Sequence, residues 1–177
     1  MLKKILIAVA VAAAALFILY RVQIAYTKSH SPFELATYNA DGLELQVKYC
    51  RPFKKDRVIF GELVPFGEVW RTGANEATQI TLNKKVLFGG TELAAGTYEL
   101  FTLPDKYKWT VIVNGERGQW GAFDYKPESD VLRVEVPSAE IEKELEQLTI
   151  AFEKSGDDIL MRIMWDRTAV AVPIRPA

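Results

Sequence analysis

The chain holds one cysteine, Cys50, and one histidine, His30, among 177 residues. A lone cysteine leaves no partner for an internal disulfide. It also lies far from the N-terminus, so it is not a bacterial lipid-attachment cysteine. One His and one Cys are too few for a zinc site of the usual His/Cys type. Ser-His-Asp or Cys-His catalysis would have to use His30, which borders the apolar N-terminal segment. No cofactor, metal site or catalytic residue is expected. Acidic residues are absent from the first 30 positions, where Lys3, Lys4, Arg21 and Lys28 are the only charges. The remainder therefore carries all 23 acids and 18 of the 22 bases, a net charge of −5. A mildly acidic domain is a poor polyanion binder, which argues against nucleic acid.

What is present begins with an uninterrupted apolar run, Ile5 to Tyr20. Sixteen helical residues rise roughly 24 Å, short of a ~30 Å hydrocarbon core. Continuation through Val22, Ile24 and Ala25 to Tyr26 reaches full span, with Arg21 snorkelling and Tyr20 and Tyr26 suited to the interface. Residues 1–26 therefore read as a signal anchor that meets the membrane through residues 5–26. The alternative is secretion after signal cleavage. However, Leu16-Phe17-Ile18-Leu19 follows the small Ala12–Ala15 stretch, and Ser29-His30-Ser31 is a weak cleavage site. Lys3 and Lys4 place the N-terminus in the cytoplasm and the rest on the far side. Residues 27–33 read as a polar linker, and 34–177 as one domain.

Alternation dominates after residue 40. Leu43, Leu45, Val47 and Tyr49 share one face of a half-buried strand, and Glu44, Gln46 and Lys48 the other. Asp41-Gly42 precedes it as a turn and Pro52 ends it. Further strands are expected at 78–82, 86–88 (ending at Gly89-Gly90), 98–103, 108–113, 131–136, 148–153, 159–165 and 169–174. The runs 98–103 and 108–113 are apolar on both faces and read as central strands around the loop Pro104-Asp105-Lys106. Asn114-Gly115, Gly156-Asp157 and Asp166-Arg167 read as turns. About nine short strands at 8–12-residue spacing predict an all-β, sandwich or jelly-roll-like domain behind one transmembrane helix. Ser138 to Gln147, rich in Ala, Glu, Lys and Leu, predicts a short helix capped by Ser138.

Residues 49–77 break the alternation. Pro52, Pro65, Gly61, Gly67 and Gly73 imply a folded loop holding Arg51, Arg57, Trp70, Arg71, Asn75 and Glu76. Gly118-Gln119-Trp120-Gly121 puts a further tryptophan on a loop. Tryptophan offers a face for sugars or aromatics, arginine a fork for carboxylate or phosphate, and Asn75 a donor and an acceptor. These seven residues are the candidate ligand contacts. The competing reading is structural: Trp70 plugs the core, Arg71 pairs with Glu76, and Asn75 makes a turn. Glu62, Glu68 and Glu76 lie on or beside the same loop, and two carboxylates flanking a cleft would suit glycoside hydrolysis. The run Glu140, Glu142, Glu144, Glu146 reads as a solvated face.

The stretch Ile59-Phe60-Gly61, Leu63-Val64-Pro65-Phe66-Gly67 and Val69-Trp70-Arg71-Thr72-Gly73-Ala74-Asn75-Glu76-Ala77-Thr78 resembles the hallmark of Domain of Unknown Function 2911. Ala95-Gly96-Thr97-Tyr98, Gln119-Trp120-Gly121 and the ending Val172-Pro173-Ile174 extend the resemblance over nearly all of residues 31–175. It implies one exported or anchored bacterial domain with the same loop segment at its centre. It carries no catalytic residues over. Cys50 stands where the family pattern has a small hydroxyl residue, and Asp56 where it has glycine.

The expectation is thus a non-catalytic module of the bacterial cell envelope, facing the periplasm, that binds a small polar ligand, a glycan or a partner protein. A carboxylate-dependent glycan hydrolase and a purely structural envelope protein are the alternatives.

Overall fold

A computed structural model describes residues 2–177. The apolar run forms helix α1, Leu2–Ser29, with a mean hydropathy of 2.5 over its most apolar window and no buried residue. Such a helix suits a membrane anchor or an export signal. It continues past Tyr26, so only residues 30–32 separate it from the first strand, fewer than the expected linker.

Nine antiparallel strands follow: β1 (Phe33–Ala40), β2 (Leu43–Cys50), β3 (Thr78–Leu82), β4 (Val86–Phe88), β5 (Thr91–Leu93), β6 (Gly96–Leu103), β7 (Lys108–Asn114), β8 (Asp130–Ser155) and β9 (Asp158–Pro176). They hydrogen-bond in the order β1-β2-β3-β6-β7-β8-β9-β4-β5. The apolar alternation of β2 is realised as burial of Leu43, Leu45, Val47 and Tyr49. The two-faced apolar runs become β6 and β7, near the middle of the order, where Val111, Ile112 and Val113 are all fully buried. Strands from both ends of the order contact β8 and contribute to one large apolar cluster. The Tyr49 hydroxyl on β2 accepts the Ile150 N–H of β8 at 3.0 Å, and the β4–β5 turn presses Gly89 against Val134.

Three expectations need correction. Ser138–Gln147 is not helical but the middle of β8, where Ser138, Ala139 and Glu140 pair with Val170, Ala169 and Thr168. Pairing across the sheet overrides the helical propensity of Ala, Glu, Lys and Leu. The four strands read at 131–136, 148–153, 159–165 and 169–174 are consequently two long ones. Asp166-Arg167 is not a turn between strands: the register shifts on both sides of Leu145↔Asp166, and Asp166 sits at φ 55°, which makes a bulge. The remaining two strands, β1 and β5, carry weak patterns. β1 lies at the end of the order and pairs only with β2, so its faces differ little in polarity.

Candidate functional site

The loop 51–77 leaves β2 and returns to its neighbour β3, so its ends meet. Thr78 N–H donates to the Arg71 carbonyl at 3.2 Å. A Cβ on Gly73 would lie 3.0 Å from the Cys50 carbonyl oxygen, so glycine permits this approach. The Trp70 and Thr102 backbones exchange two hydrogen bonds of 2.7 and 2.8 Å, which ties the loop to β6. Thr72 and Asn75 then adopt left-handed conformations, at φ 56° and 60°. A buried β-branched residue at positive φ is a costly geometry, and such strain gathers at functional segments.

A second loop, after β7, docks on the first. Ala77 N–H donates to the Gln119 carbonyl and Gly121 N–H to the Asn75 carbonyl, both at 3.0 Å. The buried Glu99 carboxylate holds this loop by accepting the Gly118 and Gln119 N–H groups at 2.6 and 3.0 Å. Burial raises the Glu99 pKa above the ordinary carboxylate value against those same hydrogen bonds. Tyr125 closes the loop: its hydroxyl donates to Asp130 at 2.7 Å and accepts from Arg133 at 2.8 Å. Burial, with the Asp130 carboxylate, pushes the Tyr125 pKa up to about 12.

The seven sequence candidates separate in this frame. Arg51 spends its guanidinium on the Leu148 carbonyl, the Thr149 hydroxyl and the Glu34 carboxylate, each within 3.0 Å. Arg57 is exposed and donates to the Lys54 and Phe53 carbonyls. Trp70 is buried, donates its indole N–H to the Gly73 carbonyl at 3.0 Å, and packs among Phe60, Trp109 and Trp165. Trp120 stays partly exposed and its backbone bridges Glu76. Glu76 turns to Lys28 of α1 rather than to Arg71, so the loop-pinning Arg71–Glu76 pair is not formed. Burial alone would raise the Glu76 pKa, but the Lys28 ammonium together with hydrogen bonds from the residue's own backbone and Cys50 outweighs it and holds the carboxyl below its ordinary value.

Arg71 and Asn75 remain. Among the described residues Arg71 has no ion pair, and its buried Nε has no hydrogen-bond partner. Burial draws the guanidinium pKa down, opposed by the neighbouring Cys50. Asn75 Nδ2 is likewise buried without a partner, as are both side-chain polar atoms of Gln119. Arg71 lines two crevices: one of about 280 Å3 shared with Arg57, Gly73 and Trp165, and one of about 250 Å3 shared with Glu68, Ala122 and Phe123. A third, of about 360 Å3, opens at the end of α1 between Lys28, Phe33, Cys50 and Glu76. Cys50 donates to Glu76 across 3.7 Å, and burial raises its thiol pKa.

Sequence reading missed the roles of Lys28, Cys50, Glu99 and Gln119. The sequence sets Gln119 apart only as a neighbour of Trp120, and nothing in it marks Lys28 as the partner of a residue 48 positions away. Among the described residues no three His, Cys, Asp or Glu side chains converge as a metal site requires.

No curated protein and no solved structure matches the chain. The family model of a protein of unknown function, DUF2911, matches residues 31–174, which span both loops and all nine strands but the last two residues of β9, and the chain therefore belongs to the DUF2911 family.

Proposed function

We propose that this protein is a membrane-anchored module facing the periplasm that binds, without catalysis, a small polar ligand bearing a carboxylate or phosphate, and that Arg71 is the ligand's counter-ion. The observation carrying this reading is a half-buried guanidinium with no ion pair and an inaccessible, unbonded Nε, at the wall between two crevices. Leaving a charged group half-buried with an unbonded donor is costly, and an anionic ligand would supply the missing partner with a bidentate geometry that suits arginine. Asn75 and Gln119 add unpartnered polar atoms on the same pair of docked loops. Trp120, partly exposed beside them, offers a face to a sugar ring, so an acidic saccharide fits the set.

The hydrolase alternative draws less support. Glu76 is held ionised by Lys28, which does not suit a general acid.

The test is a thermal-shift screen of the full chain in detergent against carboxylic acids, phosphates, neutral sugars and acidic sugars. A ligand at about 100 times its dissociation constant adds roughly 2.7 kcal/mol. An anionic hit that Arg71→Gln abolishes supports the reading. Hits confined to neutral sugars, or anionic hits indifferent to Arg71→Gln, remove Arg71 from it.

A further inference from the structure

The end of α1 and the two docked loops lie side by side. Residues 30–32 alone join Ser29 to β1. Lys28, in the last helical turn, bonds Glu76, whose backbone bridges Trp120. The helix has 28 residues, which at ~1.5 Å each span about 42 Å, the thickness of a bilayer with its headgroups. No helical length is left to hold the domain away from the membrane. If α1 spans, Lys28 reaches the headgroup layer, and Glu76 and Trp120 are brought there with it.

The surface around this exit has the matching chemistry. Phe33, Trp120 and Phe123 are exposed by 64%, 42% and 88%. Phe33 and Lys28 line the crevice at the helix end, and Phe123 lines a crevice with Arg71. Cations surround the exit although the domain as a whole is acidic: Lys28 and Lys48 on one side, Lys55, Arg57 and Arg71 on the other. The acids lining these crevices are Glu76, already paired with Lys28, and Glu68 beside Phe123; of the acids next to the face in sequence, Glu34 is paired with Arg51, while Asp56 and Asp124 are exposed. Aromatic side chains flanked by Lys and Arg are the composition that settles at a membrane interface, rings at the acyl boundary and cations on the phosphates.

We propose that the face formed by Phe33, Trp120 and Phe123 around the helix exit rests in the interface of the bilayer that α1 spans. The occupant of this apolar surface is then the lipid of that bilayer, and the ligand crevices open at the membrane surface rather than into bulk periplasm. This rests on the anchored part of the function proposed above, and not on the ligand chemistry.

Tryptophan emission tests it. The helix contains no tryptophan, and Trp70, Trp109 and Trp165 are buried, so Trp120 alone is placed to meet lipid. The full chain is reconstituted in liposomes with and without acyl chains brominated near the headgroup. Bromine is expected to quench a component on the order of one tryptophan in four. Trp120→Phe should lose that component, and adding Phe123→Trp should restore it. A chain that floats with the liposomes but shows no quenching in any form overturns the proposal and leaves the anchor standing; water or another protein would then cover the face. A chain that does not float with liposomes overturns both.

Discussion

Trp70 stacks on Trp165, with ring centroids 6.0 Å apart and planes 18° from parallel. Its position in the loop thus serves the core rather than an open platform. Trp70→Ala is expected to destabilise the domain by about 3–5 kcal/mol, the usual cost of emptying a large aromatic from a core. Trp70→Phe should cost clearly less. Urea denaturation of the full chain in detergent measures both. A near-neutral Trp70→Ala would show that the aromatic cluster contributes little.

Arg51 joins the start of the loop to β8 through two acceptors at Leu148 and Thr149, and to β1 through Glu34. Removing a guanidinium that makes three hydrogen bonds is expected to cost about 2 kcal/mol. Arg51→Lys should recover little of it, because a single ammonium lacks the fork. Denaturation midpoints of Arg51→Ala and Arg51→Lys would differ widely if the pairing with Glu34 were the main contribution.

Gly89 occupies the β4–β5 turn at φ 56°, and a Cβ there would fall 2.2 Å from Val134 Cγ1. Gly89→Ala is expected to cost about 3 kcal/mol from overpacking and left-handed strain together. Adding Val134→Ala should relieve the overpacking, so the double variant is less destabilised than the sum of the singles. Strict additivity would mean that the two positions do not touch.

Glu99 has its pKa raised by burial, so its folded-state value lies above the unfolded one. Below the unfolded pKa both states are protonated and nothing is lost. As pH rises from there to the folded pKa, the unfolded state ionises first and stability falls, then levels off. Glu99→Gln removes this dependence while keeping an acceptor for Gly118 and Gln119. The variant is expected to gain on the parent as pH rises from about 4 to neutrality. Urea titrations across that range measure the difference; a gain on acidification instead would reverse the assignment.

Much of the architecture was legible because it is local. The faces of β2 and β3 could be read from alternation, and the loop 51–77 from its prolines and glycines and the breakdown of that alternation. The segment 138–147 misled for the same reason. Its composition favours a helix, but its pairing with 168–170 lies about 30 positions away in sequence, beyond any local signal. The loop's arginines also looked alike in sequence. Arg51 meets three partners contributed by β1 and β8, whereas Arg71 meets none, and that difference is made by distant strands.

An apolar N-terminal helix, an all-β domain and two irregular segments rich in Trp, Arg and Asn are all written in the order of the residues. These follow from hydropathy, a two-residue period and turn chemistry, each set by neighbours a few positions apart. Packing between distant segments sends Trp70 into the core, turns Glu76 to Lys28, and leaves Arg71 half-buried without a counter-ion. Burial and charge pairing depend on which strands and loops come together, and that convergence is a property of the whole sheet.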